Sequence, residues 1–200
     1  MGPPPYYGED FAAAVIETFA HSLLKLHLNH GASVLFSRQE RRELLESTPN
    51  LVAIIGSRVK DSIGCPVALP YLPKLKSLVV NDVMGHCDRI EHKDDRTPFL
   101  DHIHVHLSDY SDYFARLLSV QGARLTSVSL DLRSANPNLS SDCLSMLTSF
   151  CPNLSYLEIC IGTWGRFPRF DHLPPIERLG IRLYTGLTSV ASVCESLATI

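Results

Sequence analysis

The sequence predicts an α/β solenoid, in which stacked units place parallel strands on a concave side and helices or irregular segments on a convex side. Three observations predict this fold: an apolar frame recurs along the chain, its copies begin 21 to 29 residues apart, and a proline precedes most copies at a fixed distance. Each frame places apolar residues at its first, fourth and sixth positions, as in Leu154, Leu157 and Ile159. The frames begin at Leu23, Leu51, Leu75, Leu100, Leu125, Leu154, Ile176 and Leu197.

A proline at a fixed position before the frames argues that their spacing is not a chance result of leucine being a common residue. It lies two residues before the frame in five of the eight copies. Three copies read alike across it, as TPNL, LPKL and CPNL, although the second copy has Gly56 at its sixth position. Eight regularly spaced frames, five of them preceded by this proline, favour a repeat protein over an ordinary α/β domain. The five prolines are Pro49, Pro73, Pro98, Pro152 and Pro174.

One stretch, residues 140–161, indicates how a unit folds. Its first half is predicted to be a helix, capped by serine at its start and burying Leu144 and Leu147 on one face. Pro152 ends this helix, because the residue before a proline is disfavoured in helical geometry. The second half, residues 154–159, alternates apolar and polar side chains as a half-buried strand does.

The other units extend this pattern. Glycine and proline predict irregular convex segments at 57–70 and 162–175, and the polar stretch 81–97 is predicted to be a solvated loop. The predicted strands are residues 23–28, 51–56, 75–80, 100–106, 125–130, 154–159 and 176–181. The predicted helices are residues 10–20, 38–47, 109–120, 140–151 and 185–196.

The repeat also predicts the domain organisation. Residues 1–9 are expected to be a disordered, proline-rich terminus, and residues 10–200 a single solenoid of about seven repeats with a truncated eighth. The end of a solenoid needs a polar capping repeat to cover its core, and neither end of this sequence has the composition of one. The chain is therefore expected to be part of a longer protein.

Composition and motifs exclude several function classes. A net charge of −3 argues against a nucleic-acid binder, and the apolar runs are too short for a membrane span. The motifs of a nucleophile elbow, a phosphate loop and a zinc protease helix are missing, so no enzyme and no cofactor is expected. The six cysteines form no C-x-x-C pair and are expected to be reduced, which predicts an intracellular protein, cytoplasmic or nuclear.

A binding face follows from the strand alternation. Frame residues point into the core, and the residues between them point outward on the concave side, where we expect a protein partner to bind. Tyrosine and arginine, both frequent at binding hot spots, occur among these outward residues. The candidate binding residues are Lys25, His27, Ile55, Val79, His102, His104, His106, Ser127, Ser129, Asp131, Tyr156, Glu158, Arg178 and Arg182. The same columns contain Asn29, Ala53, Ser57, Ser77, Asn81, Cys160 and Gly180.

Three histidines at alternate positions, His102, His104 and His106, are the sharpest local feature. Alternation places all three rings on one face of a strand, with Asp131 expected on the next strand. This pattern leaves three interpretations open: a metal site with metal-dependent activity, a pH-sensitive binding patch, or a solvent-facing polar strand. No fourth ligand is evident, so metal binding is the alternative and a protein-binding face is the main prediction.

The units resemble the irregular leucine-rich repeats of F-box proteins and of ribonuclease-inhibitor-like folds, and the sequence CPNLSYLEI is similar to the cysteine-containing variety. The asparagine ladder of regular extracellular repeats is missing from the seven complete copies, which agrees with the irregular class. The resemblance implies a protein-interaction scaffold and, more narrowly, the substrate receptor of an F-box ubiquitin ligase. An F-box adaptor would then bind through a region outside this chain.

Overall fold

The computed structural model describes residues 8–28, 43–56, 72–80, 99–107, 112–133, 137–162 and 173–184. Seven strands form one parallel sheet, in which neighbours along the chain are also neighbours in the sheet. The strands are β1 (Lys25–Leu28), β2 (Ala53–Gly56), β3 (Ser77–Val80), β4 (His102–His106), β5 (Ser127–Asp131), β6 (Tyr156–Ile161) and β7 (Arg178–Leu183).

Helical segments accompany the strands in an α/β arrangement. Helix α1 (Gly8–Phe19) precedes β1, α2 (Asp112–Gln121) lies between β4 and β5, and α3 (Pro137–Phe150) lies between β5 and β6. A 3₁₀ turn, Gly122–Arg124, follows α2, and residues 43–46 form one further helical turn. The predicted loop 81–97, the last predicted helix and the truncated eighth frame lie outside the described residues.

Each strand begins two residues later than predicted. In four of the frames the first leucine lies in a tight turn, and its N–H bonds to the carbonyl three residues earlier and not to a neighbouring strand. Leu51, Leu75 and Leu125 make this bond at 3.2, 3.0 and 3.2 Å. Helix α3 also begins earlier than predicted, at Pro137, because a proline is well tolerated in the first turn, where its missing N–H has no helical partner.

One face of the sheet and two helices share a single apolar core. Frame residues such as Ile103, Val128 and Leu157 are buried in one cluster with Leu117 of α2 and Leu147 of α3. Each such side chain contributes roughly 1.5–3 kcal/mol when removed from water. The frame therefore marks the buried face of the sheet, as the sequence predicts, and leaves the intervening side chains on the other face.

The cysteines in the described residues behave as small apolar side chains. Cys143, Cys151 and Cys160 are free thiols and are buried. Burial raises the pKa of Cys143 and of Cys151 to about 12, so both thiols stay protonated at neutral pH. This agrees with the predicted reduced state for these three. In the described part of the chain, none of the helices has the length and apolar character needed to cross a bilayer.

Candidate binding face

The face opposite the core, called the open face below, carries three rows of side chains that run across the strands. Strand register aligns the predicted columns side by side, although Ser129, Asp131 and Cys160, which were predicted to face outward, are buried. Asn29, Ser57 and Asn81 lie outside the described residues. The first row is Lys25, Ala53, Ser77, His102, Ser127, Tyr156 and Arg178. The second row is His27, Ile55, Val79, His104, Ser129, Glu158 and Gly180. The third row is His106, Asp131, Cys160 and Arg182.

Two histidines of β4 form side-chain hydrogen bonds with serines of the neighbouring strand β5. Nδ1 of His102 lies 2.8 Å from the Ser127 hydroxyl, and Nδ1 of His104 lies 2.8 Å from the Ser129 hydroxyl. Both pairs occupy matched register positions on β4 and β5, so the parallel pairing itself brings the two side chains together. Each ring is thereby held against the sheet at its Nδ1 edge.

A chain of polar contacts crosses four strands, along the second row from His104 to Glu158 and then to Arg182 of the third row. Ser129 donates its hydroxyl proton to Oε2 of Glu158 at 3.0 Å, and Nε of Arg182 lies 2.6 Å from Oε1 of the same carboxylate. A serine hydroxyl has one proton, and Glu158 receives it, so Nδ1 of His104 must be the donor in the bond to Ser129. Neutral His104 therefore has its lone pair at Nε2.

The third row is built around a buried carboxylate. The single Nε–H of Arg133 is shared between Oδ1 and Oδ2 of Asp131, at 2.8 and 3.0 Å, and Nη2 of Arg133 also donates to Oδ2. The same Oδ2 lies 3.1 Å from Nδ1 of His106. Burial by itself raises the pKa of Asp131, but the hydrogen bonds from His106 and Arg133 outweigh it, and the pKa lies well below its usual range. Asp131 is therefore ionised at neutral pH, and Arg133 in turn stacks on the Tyr184 ring at 4.5 Å.

The first three strands give the open face a different character. Ile55 of β2 and Val79 of β3 are register neighbours and are partly exposed, beside Ala53. On the far side, Gly180 leaves room for the Tyr156 hydroxyl, which lies 3.1 Å from the position a Cβ would take. The face thus passes from an apolar patch, through the histidines, to a hydrogen-bonded end containing tyrosine and arginine.

The metal alternative finds no support in this geometry. Among the residues that the structure describes, no group of three or more His, Cys, Asp or Glu side chains is arranged to hold a metal ion. Nδ1 of each histidine on β4 is directed at a serine hydroxyl or a carboxylate of β5. His106 and Asp131 are neighbours on adjacent strands, as expected, with 3.1 Å between Nδ1 and Oδ2.

Two residues of this site, Arg133 and Tyr184, were not among those predicted from the sequence. Arg133 follows β5 and Tyr184 follows β7, so neither belongs to an outward column. A signal for Arg133 was available, because an arginine two residues after an aspartate at a strand end can reach back to that carboxylate. The His–Ser pairs could also have been found, since His102 and Ser127 hold the same place in consecutive frames.

The sequence matches no protein-family model, and no curated protein matches it.

Stability should fall as the pH is lowered from about 7.5 to about 5.5. Burial lowers the pKa of His102 and of His104 from 6.5. The unfolded chain therefore takes up protons that the native state does not. The contribution of these residues is fully present above pH 6.5 and is lost as the pH falls through the lowered folded pKa. The measurement is the urea midpoint as a function of pH.

The double variant His102→Gln and His104→Gln should show a shallower decline of the midpoint over this window than the native chain. His21→Gln, in the exposed turn after α1, is the matched control and should keep the native decline. An unchanged slope in the double variant would contradict the assignment of this pH dependence to the two partly buried rings.

Proposed function

We propose that the chain is a leucine-rich-repeat solenoid of the irregular class, and that its open face is the concave surface on which a protein partner binds. The observation that carries the proposal is the sheet itself, in which seven parallel strands follow chain order and align the open-face side chains in rows. None of the side chains of the first row is buried. A solenoid of this class lines up its strands in the same way.

Recurring backbone contacts support the repeat. The carbonyl before each of the first six strands accepts two N–H groups from the start of the next strand, as Thr126 does from Ser155 and Tyr156, both at 3.0 Å. Side chains at equivalent positions recur as well. Nδ2 of Asn50 donates to the His21 carbonyl, and Nδ2 of Asn153 donates to the Ala123 carbonyl, both at 2.7 Å. Both asparagines directly follow a phased proline.

The chemistry of the open face supports binding over catalysis. Its two carboxylates, Asp131 and Glu158, are each engaged by an arginine and by a neighbour in the same row. A general acid or base would need a pKa near the working pH, whereas that of Asp131 lies far below it. Exposed arginine, tyrosine and apolar side chains, in contrast, are the common components of protein interfaces.

The narrower form of the proposal is the substrate receptor of an F-box ubiquitin ligase. It depends on the resemblance of the repeats alone. In this form the open face holds the substrate, and a region outside this chain holds the adaptor. The two contacts would then respond differently to variants of the open face.

Affinity purification of the native full-length protein, followed by mass spectrometry, tests both forms. The bait is compared with a Tyr156→Ala and Arg178→Ala double variant of the open face and with Arg116→Ala on helix α2. The expected result is a partner that is lost from the double variant and kept by the control. A cullin and its adaptor, recovered equally with all three baits, would support the ligase form, and their absence would remove it. Partners that are all retained by the double variant would contradict binding at the open face.

A further inference from the structure

The first row differs from the other two in accessibility and in charge. None of its seven side chains is buried, whereas Ser129 of the second row and Asp131 and Cys160 of the third are. It contains no acidic residue, and its two ends are the exposed cations Lys25 and Arg178. Neither cation forms an ion pair within the described part of the chain. The row thus presents positive charge at both edges of the sheet.

The acidic groups of the open face do not offset this charge. Glu158 pairs with Arg182 of the third row, and Asp131 pairs with Arg133 beyond the end of β5, so each carboxylate already has a cationic partner. Glu177 adjoins Arg178 in the chain but precedes β7 and lies outside the row.

Counting Arg133, the open face has four arginine and lysine side chains and two carboxylates. This net charge of +2 lies on a chain whose total is −3. The surface is therefore positive against an acidic background, which favours a partner of the opposite sign.

The spacing of the two cations defines the length of a matching ligand. Lys25 and Arg178 lie six strand intervals apart, which is about 29 Å at the usual spacing of about 4.8 Å. An extended peptide rises about 3.3 Å per residue, so about nine residues span this distance. Between the cations the row has the small Ala53, Ser77 and Ser127, with the rings of His102 and Tyr156 as the larger side chains.

We propose that the partner binds the first row through an extended acidic segment of about nine residues that crosses the strands and places carboxylates over Lys25 and Arg178. The inference deepens the proposed function and depends on it, because it specifies the chemistry of the partner at the same face. Row-wise binding leaves the second and third rows, with their internal ion pairs, undisturbed. The small side chains of Ala53, Ser77 and Ser127, on either side of His102, let an extended backbone approach the sheet closely there.

The test uses three fluorescein-labelled nonapeptides with a common Gly/Ser centre and two Glu, two Gln or two Lys at each end. Binding to the 200-residue chain is followed by fluorescence anisotropy at low ionic strength. We expect the Glu peptide to bind at least about tenfold more tightly than the Gln peptide and the Lys peptide to bind least. Added salt should weaken the Glu complex, since these exposed charges are screened.

Charge reversal locates the site. Lys25→Glu and Arg178→Glu should each weaken the binding of the Glu peptide by about tenfold. Arg116→Glu, the same charge reversal on helix α2, should leave the affinity for this peptide unchanged. A fourth peptide with all four Glu in one central block should bind more weakly than the end-charged one, because it cannot reach both cations at once. Equal affinity for the Glu and Gln peptides, or equal losses in all three variants, would overturn the proposal.

The two hypotheses fail in different ways. A native partner that is lost with Tyr156→Ala but unaffected by Arg178→Glu and by competing Glu peptide would leave the open face as the binding surface and remove the acidic segment. A native partner that is retained by every open-face variant would remove the proposed function itself.

Discussion

Leu157→Ala should lower the free energy of unfolding by about 2–5 kcal/mol, the range for a buried leucine truncated in a packed core. Leu157 is the middle residue of the β6 frame and has no solvent exposure. It lies in one apolar cluster with residues of β5 and of helices α2 and α3, so these elements together limit how far the cavity can collapse. Urea denaturation followed by circular dichroism measures the loss.

The same substitution at an exposed position is the control. Leu183, the last residue of β7, is 42% exposed, and Leu183→Ala should change the free energy of unfolding by no more than about 0.5 kcal/mol. Similar losses for the two variants would contradict the central position of Leu157 in the apolar core, since Leu183 lies on the same face of the sheet but at its exposed edge.

Gly122→Ala should destabilise the fold by about 1–3 kcal/mol, although alanine is the better helix former of the two residues. A Cβ at this position would lie 2.6 Å from the Phe150 carbonyl oxygen at the end of helix α3. That oxygen belongs to the backbone, so relief requires the end of α3 to move away from the 3₁₀ turn. Thermal unfolding by calorimetry measures the effect.

Gly56→Ala supplies a matched control with the opposite expectation. Gly56 ends β2, and a Cβ there would meet nothing closer than the Val79 carbonyl oxygen at 3.8 Å, an ordinary contact. Because glycine is unfavourable in a strand relative to alanine, Gly56→Ala should leave the melting temperature unchanged or raise it slightly. A loss as large as that of Gly122→Ala would show that the close approach of α3 is not the cause.

The apolar frame predicted the sheet well because one pattern encodes both its strands and their order. Residues at the same place in consecutive frames, such as His104 and Ser129, become register partners. The outward columns therefore followed from spacing alone. The first residue of each strand could not be predicted from spacing. The first leucine of a frame is apolar and buried in either of two places, within the strand or, as Leu51 is, in the turn before it.

The polar network was less accessible to prediction for a physical reason. Alternation along a strand says which side chains share a face but not which way each one leans. His104 leans toward β5, and the Arg133 side chain folds back onto Asp131 from beyond the strand end. Such choices depend on donors and acceptors supplied by neighbouring chain segments. They become visible only when register and side-chain positions are both known.

The polar chain from His104 to Arg182 bears on the entropy of binding. Ordering a long side chain at an interface costs about 0.5–1.5 kcal/mol, and Glu158 and Arg182 already hold each other in one arrangement before any partner arrives. A ligand that docks over β4 to β7 therefore meets a surface with little rotamer freedom left to lose. Lys25, at the opposite edge, is exposed and must be ordered on contact. The same holds for Arg178 of the first row, so the cost of ordering side chains falls mainly on these two cations.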